Sequence, residues 1–146
     1  MLAALEWADQ EELTPTVIGG GSNLLAPDAG ISGLVILSRT PGERAEHLIA
    51  LDDLGEVTRV TVGAQAPLSW TGRYVSERGL AGMDWGVGLP GTIGGATVNN
   101  AGAHGTEMKD HLETVTVLDL RTGEIETHEL AWLDPAYRHT SIKASP

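Results

Sequence analysis

Glycine, through its amount and its position along the chain, constrains this sequence more than any other feature. It accounts for 19 of the 146 residues, about twice its usual share of roughly 7 %. Nine of these glycines fall between Gly79 and Gly105, and three consecutive ones occupy positions 19 to 21. Apolar residues and asparagines lie between them, so neither cluster resembles a flexible linker or a collagen repeat. The clustering indicates backbone that passes close to another group.

Composition sets the broad class of the chain and argues against several partners. The formal net charge is −11, which disfavours nucleic acid and anionic membranes, because their binders neutralise phosphate with Lys and Arg. No apolar run approaches the roughly 20 residues of a membrane-spanning helix, and the N-terminus lacks the basic region of a signal peptide. The chain has no cysteine, which excludes disulfides and thiolate metal sites. We therefore expect one cytoplasmic domain over residues 1–146.

Hydrophobic periodicity predicts a mixture of helices and strands. Helices are predicted over residues 2–13 and 67–78, with Pro67 as the first helical residue and Gly79 as the stop, and after Asp134 as N-cap with Pro135 as first residue. Strands are predicted over residues 15–18, 34–37, 47–51, 56–62, 112–120 and 124–130, the last two joined as a hairpin. No period is visible between residues 79 and 105. The absence of a regular βαβ alternation favours an α+β fold.

The first glycine segment, residues 17–25, reads VIGGGSNLL. It begins in a predicted strand, and successive backbone N–H groups in such a run can point into one concavity and hold a phosphate. Its spacing matches neither the dinucleotide fingerprint G-x-G-x-x-G nor a P-loop, which needs a following Lys and Ser or Thr. A phosphate-binding loop and a tight surface turn both remain open interpretations.

The second glycine segment, residues 86–105, contains no Asp, Glu, Lys or Arg. Thr, Asn and backbone amides can bind pyrophosphate and ribose without charge, and small residues allow a flat ring to lie against the main chain. An acidic chain can therefore still bind an anionic cofactor. The alternative is a buried glycine-rich loop that packs against the sheet.

Three segments together resemble the UDP-N-acetylenolpyruvoylglucosamine reductase family: GGGSNLL, LPGTIGGATVNNAGAHG and the later AYRHT. The resemblance extends along essentially the whole chain. It implies an FAD-dependent oxidoreductase with the FAD-binding fold of the vanillyl-alcohol oxidase and p-cresol methylhydroxylase type. In such an enzyme NADPH is the hydride donor, and UDP-N-acetylglucosamine enolpyruvate is reduced to UDP-N-acetylmuramate for peptidoglycan synthesis.

The resemblance also implies functional positions. The implied cofactor-binding residues are Gly19, Gly20, Gly21, Ser22, Asn23, Leu24, Gly88, Pro90, Gly91, Thr92, Gly94, Gly95, Asn100, Ala101, Gly102 and Ala103. Tyr137 and Arg138 match the substrate-binding segment, and Arg138 is the implied catalytic arginine that meets the enolpyruvyl carboxylate. Hydride addition to the β-carbon of an unsaturated acid builds negative charge on its carboxylate, which a planar guanidinium can stabilise. From the residues alone, a surface salt bridge is the simpler interpretation of Arg138.

The chain also departs from the family pattern. Asn99 stands where the family often has Met, and Ser141 and Ser145 are not equivalents of the family's proton-donor serine. That serine and an assisting glutamate come from a C-terminal substrate-binding domain, so we expect an FAD-binding portion truncated at both ends. One alternative is a catalytically inactive fragment with weak or no flavin binding, and another is a different oxidoreductase of the same flavin fold. Unpaired sheet edges would favour self-association.

Several other residues receive structural interpretations. The spacing of His104 and His111 does not match the zinc-binding H-E-x-x-H pattern, so no metal site is expected. His104 is assigned to the flavin loop. Asp84 is interpreted as a turn or cap residue, and Trp70 and Tyr74 as core contacts one helical turn apart.

Overall fold

The structure is a computed structural model that describes residues 1–144, so Ser145 lies outside the described residues. α-Helices span Leu2–Gln10 (α1), Leu68–Ser76 (α2), Ile93–Val98 (α3) and Ser141–Ala144 (α4). Strands span Pro15–Ile18 (β1), Leu34–Leu37 (β2), Ile49–Asp53 (β3), Thr58–Val62 (β4), Gly102–Ala103 (β5), Thr106–Glu107 (β6), Thr114–Leu118 (β7) and Ile125–Glu129 (β8). Within this part of the chain, no helix combines the length and apolar character needed to cross a bilayer.

The described strands form two-stranded pairs. β1 and β2 are parallel, with Val17 opposite Ile36, whereas β3–β4, β5–β6 and β7–β8 are antiparallel hairpins. Gly55 and Gly123 have φ of 93° and 75° in the β3–β4 and β7–β8 turns, a conformation that glycine adopts without steric cost. Four helices and separate strand pairs without a βαβ rhythm agree with the α+β expectation.

Helix α2 organises the core because its apolar face recurs at helical spacing. Leu68, Thr71, Gly72 and Val75 are buried on this face, at the i, i+3, i+4 and i+7 positions of one stripe. Leu68 belongs to the main core cluster, together with Trp85, Ala96 and Met108. Burial of such a leucine contributes about 1.5–3 kcal/mol. This cluster packs α2 against α3, whose two ends border the candidate site.

An ion pair joins two of the hairpins at the surface. Arg59 on β4 donates from Nε and Nη2 to the two carboxylate oxygens of Glu113, at 2.8 and 2.9 Å. The hydrogen bond and then the charge of Arg59 hold the pKa of Glu113 below its ordinary value. This bidentate contact is exposed, and it links β4 to the residue that precedes β7.

The predicted final helix is wrong. Residues Leu130–Leu133 form a 3-10 helix that ends at Asp134, where φ is 43°, and a left-handed residue cannot serve as an N-cap in extended conformation. The helix begins later, at Ser141. Helix α3 is absent from the sequence prediction, because Gly94 and Gly95 lower its propensity.

Smaller differences concern element ends and two aromatic residues. Pro67 is the N-cap of α2 rather than its first residue, and β3 begins at Ile49 because Glu46–Leu48 is a 3-10 helix. Trp70 and Tyr74 are half-buried and stack on each other with ring centroids 5.1 Å apart, outside the main core cluster. Asp84 begins a 3-10 helix and accepts a hydrogen bond from the Gly82 N–H, which confirms its interpretation as a turn residue.

Candidate functional site

The first glycine segment leaves strand β1 at Ile18 and forms an open loop. Within the described residues, the backbone N–H groups of residues 19–23 donate no hydrogen bond. Residues 20–24 are exposed, and the loop is closed by the Leu24 N–H, which donates to the carbonyl of Gly21 at 3.3 Å. A run of unpaired N–H groups is the feature from which backbone anion sites are built.

This loop lies directly against the loop that precedes α3. A Cβ atom at Gly20 would be 2.9 Å from Cα of Gly91, and one at Gly91 would be 2.9 Å from Oγ of Ser22. A Cβ at Gly19 would collide with the side chain of Thr92. Glycine is therefore required on both sides of the contact, and the two clusters that are far apart in sequence meet in the fold.

Helix α3 is held in place at its first turn. The Thr92 side chain caps it and accepts the Gly95 N–H at 3.3 Å, as an N-cap threonine does. The Gly94 N–H donates to the carbonyl of Ala64 at 2.8 Å. A Cβ at Gly94 would lie 2.9 Å from Cβ of Ala64. Gly94 thus allows α3 to approach the chain that enters α2.

An amide pair connects the two glycine segments through their side chains. Asn23 Nδ2 donates to Oδ1 of Asn99 at 3.0 Å, and Asn99 Nδ2 donates to the carbonyl of Gly95 at 2.9 Å. The sequence prediction did not include Asn99 among the site residues. The sequence feature that could have identified Asn99 is an amide side chain in an uncharged segment, next to Asn100.

Asn100 is buried immediately after α3. It is 2 % exposed, its φ is 42°, and its side chain contacts three protein groups. Nδ2 donates to Oε2 of Glu107 at 3.0 Å and to the carbonyl of Ala136 at 2.9 Å, and Oδ1 accepts the Lys109 N–H at 3.0 Å. The hydrogen bond from Lys109 is the main cause that lowers the pKa of Glu107, and the bond from Asn100 adds to it.

The remaining residues of the second glycine segment serve mainly to shape the backbone. Gly88 has φ of 88°, and its N–H donates to Oγ of Ser69 at 2.8 Å. His104 and Gly105, with φ of 56° and 87°, form the turn between β5 and β6, where a two-residue hairpin of type I′ requires two positive φ angles. His104 is exposed there, and the described residues contain no metal-binding group of three His, Asp or Glu side chains.

Arg138 lies in a turn of unusual backbone geometry, here called the arginine turn (residues 136–140). Ala136 and His139 exchange N–H to carbonyl hydrogen bonds at 3.0 and 3.1 Å, and Arg138 between them has φ of 58°. Its guanidinium forms no ion pair with any carboxylate among the described residues, and its Cζ lies 5.9 Å from the ring centroid of Tyr137. The salt-bridge interpretation therefore finds no partner within residues 1–144, and the guanidinium is exposed to an incoming anion.

A cavity of about 450 Å³ lies between the β5–β6 hairpin and the arginine turn. Its walls include Asn100, Gly102, Ala103, Tyr137 and Arg138. Residues that the resemblance implies for cofactor and for substrate thus line one cavity. A second cavity of about 570 Å³, beside Glu113, contains none of the predicted site residues.

Comparison with known proteins identifies the family. The FAD binding domain family matches residues 1–129 of this chain. The chain belongs to the FAD binding domain family. The unpaired N–H groups of the first glycine segment fit the pyrophosphate of such a cofactor, because consecutive backbone donors can bind its phosphate oxygens.

Relatives with solved structures or curated names agree with this assignment. The UDP-N-acetylenolpyruvoylglucosamine reductase of Synechococcus sp. strain JA-3-3Ab is 40 % identical over 147 residues, which cover 97 % of this chain and 43 % of the relative. The protein of the same name from Gloeobacter violaceus is 41 % identical, with 96 % and 44 % covered. The crystal structure of UDP-N-acetylenolpyruvylglucosamine reductase (MurB) from Thermus caldophilus matches with a TM-score of 0.71 and 31 % identity, over 92 % of this chain and 46 % of that one.

The resemblance to the reductase family and the α+β FAD-binding fold are therefore confirmed. The chain spans less than half the length of these relatives.

Proposed function

We propose that this chain is the FAD-binding part of a UDP-N-acetylenolpyruvoylglucosamine reductase. The complete reaction would use NADPH to reduce UDP-N-acetylglucosamine enolpyruvate to UDP-N-acetylmuramate, a cytoplasmic step of peptidoglycan precursor synthesis. The observation that supports this most is the cavity between the second glycine segment and the arginine turn, which is lined by Ala103 and Arg138. It brings implied cofactor positions and an unpaired guanidinium to the same space.

The first glycine segment would hold the pyrophosphate of FAD. Its five N–H groups, from residues 19 to 23, donate no hydrogen bond to other described residues, and consecutive N–H donors bind phosphate oxygens without the need for a positive side chain. This explains how an acidic chain could bind an anionic cofactor. The contact of Gly20 with Gly91 would keep the two loops at a fixed separation. When bound, FAD supplies the hydride-transfer chemistry that no amino acid side chain provides.

Arg138 would bind the carboxylate of the enolpyruvyl group. Reduction at the β-carbon of this unsaturated acid places developing negative charge on the carboxylate, and a bidentate guanidinium stabilises that charge more in the transition state than in the ground state. The guanidinium has no competing ion pair among the described residues. Tyr137, which is 80 % exposed, would lie beside the same substrate.

A flavin titration tests the cofactor part of the proposal. We expect the purified chain to bind FAD with a dissociation constant of about 1 μM or lower, measured by flavin fluorescence and by the visible absorption spectrum. Absence of FAD binding at tenfold higher concentrations would contradict the proposal and favour the inactive-fragment alternative.

Substitution of Arg138 tests the substrate part. In a complete reductase that contains this chain and is loaded with FAD, Arg138→Lys should leave the oxidation of NADPH by flavin unchanged. It should slow the transfer from flavin to substrate by roughly 100-fold or more, because an ammonium cannot reproduce a bidentate contact. Arg121→Lys is the matched control, since Arg121 is an exposed arginine in the β7–β8 turn. Equal losses in both half-reactions would contradict the role of Arg138.

A further inference from the structure

Two buried side chains fasten the arginine turn to the C-terminal end of α3. Thr140 Oγ1 donates to the carbonyl of Val98 at 2.7 Å, and Asn100 Nδ2 donates to the carbonyl of Ala136 at 2.9 Å. Thr140 is 1 % exposed and Asn100 is 2 % exposed. These bonds hold both ends of the turn, one on each side of Arg138.

The conformation of Arg138 needs such support. Its φ of 58° lies in the left-handed region, which is unfavourable for a residue with a Cβ and persists where surrounding contacts determine it. The turn itself offers only the two reciprocal hydrogen bonds between Ala136 and His139. The bonds to Asn100 and Thr140 connect it to a helix that is itself fixed to the core.

The side chain of Asn100 has no donor left for a ligand. A carboxamide carries two N–H donors, and Asn100 uses them on Glu107 and on the carbonyl of Ala136. Its oxygen already accepts the Lys109 N–H. The contacts of this residue are therefore directed into the protein, toward the arginine turn and the β6 strand.

We propose that Asn100 and Thr140 are positioning residues that set the guanidinium of Arg138 relative to the second glycine segment. This inference rests on the proposed function of Arg138, and it gives Asn100 a role different from the cofactor contact that the resemblance implies. Helix α3 connects the two halves of the site: Thr92, at its start, contacts the first glycine segment, and its end carries the arginine turn. A bidentate contact depends on orientation, so a small displacement of the turn costs rate without affecting cofactor affinity.

The first test uses a matched pair of threonine variants. Thr140→Val keeps the shape of the side chain but removes the hydroxyl donor, and Thr140→Ser keeps the donor. The control is Thr71→Val, which removes another buried hydroxyl, one that donates at 2.9 Å to the carbonyl of Pro67, the N-cap of α2. Asn100→Gly is the second test, because glycine tolerates the left-handed backbone of Asn100 while it removes all three side-chain bonds.

Two measurements separate positioning from general destabilisation. In Thr140→Val and Asn100→Gly, we expect amide hydrogen exchange at Ala136 and His139 to accelerate about tenfold, the factor that corresponds to one lost buried hydrogen bond. In a complete reductase that contains this chain, the transfer from flavin to substrate should slow by a similar factor, while the FAD dissociation constant stays within about threefold of the parent value. Thr140→Ser should restore both the exchange rates and the transfer rate, and Thr71→Val should leave both at parental values.

Other results of the same measurements would contradict the inference. Unchanged amide hydrogen exchange in the arginine turn of both variants would overturn the inference. A large loss of FAD affinity in Asn100→Gly without faster exchange would also overturn it, because Asn100 would then be a cofactor contact. If the parent chain neither binds FAD nor reacts, the proposed function fails and the inference fails with it as a statement about catalysis. The exchange rates then still show whether these side chains hold the turn.

Discussion

Both glycine segments are rich in glycine, but they differ in whether their backbone N–H groups donate hydrogen bonds within the protein. In the first, the N–H groups of residues 19–23 donate no bond within the described residues, and the loop is exposed from Gly20 onward. In the second, Thr92 caps α3, the Gly94 N–H bonds to Ala64 and the Gly88 N–H bonds to Ser69. Glycine composition alone therefore does not assign a role. The first segment leaves donors available for a ligand, whereas the second uses small size for close packing.

The largest effect should come from a side chain placed where the two segments touch. Gly20→Ala puts a Cβ about 2.9 Å from the backbone Cα of Gly91, an atom that cannot rotate away. We expect the exposed loop to shift away from Gly91, at a cost of about 1–3 kcal/mol in the free energy of unfolding. The displaced N–H groups should lower FAD affinity by up to roughly 100-fold. Flavin fluorescence titration and urea unfolding measure the two quantities.

The control for this variant is Gly55→Ala, in the β3–β4 turn. A Cβ at Gly55 meets no atom within 4 Å, but its φ of 93° is strained for alanine. It should lower stability by about 1–2 kcal/mol and leave FAD affinity unchanged. Parental FAD affinity in Gly20→Ala would show that the first glycine segment is not the cofactor cradle.

The second effect should be on stability rather than on binding. Gly94→Ala places two Cβ atoms, its own and that of Ala64, about 2.9 Å apart. Overpacking costs about 1–3 kcal/mol, and the better helix propensity of alanine offsets up to about 1 kcal/mol. We expect the free energy of unfolding to fall by about 1–2 kcal/mol in urea. Adding Ala64→Gly should recover most of this loss, and an increase in stability of the single variant would contradict the packing role of Gly94.

A third, smaller effect should reveal the link between the segments. Asn99→Ala removes the acceptor for Asn23 and the donor to the Gly95 carbonyl. We expect FAD affinity to fall about threefold to tenfold, because a single hydrogen bond contributes about 0.5–1.5 kcal/mol. A double-mutant cycle with Asn23→Ala should show coupling. Strictly additive losses would mean that the amide pair does not hold the first segment in place.

The smallest expected effect is on the pH dependence of folding stability. Glu107 borders the second segment, and its pKa is lowered, first by the hydrogen bond from Lys109. A carboxyl group whose pKa is lower in the folded than in the unfolded state stabilises the fold above its unfolded value, and this stability is lost as pH falls through the folded value. Stability should therefore be level from pH 7 to 5 and decline below about pH 4. Glu107→Gln should make that decline shallower, and an unaltered decline would assign it to other carboxylates.

Parts of the fold could be predicted because local signals agree with tertiary packing. β1 and β2 match their predicted ranges residue for residue, since each short apolar run is bounded by polar residues or glycine. The β7–β8 hairpin follows from its turn, in which Gly123 has φ of 75°. Helix α3 could not be predicted, because its two glycines and short length give a weak helical signal, and its stability comes from the Thr92 cap and from packing on α2.

The candidate site was likewise predictable from the sequence only in part. The sequence by itself determined the family, the α+β class and the residues most worth attention, because glycine runs and the motif around Arg138 carry the resemblance over most of the chain. Only the tertiary structure decided which glycine amides stay open, that Asn99 and Asn23 meet, and that Asn100 points to the Ala136 carbonyl. The two side-chain contacts join residues that are 76 and 36 positions apart in the chain. Such pairings depend on how α3 packs in the core, which no local pattern specifies.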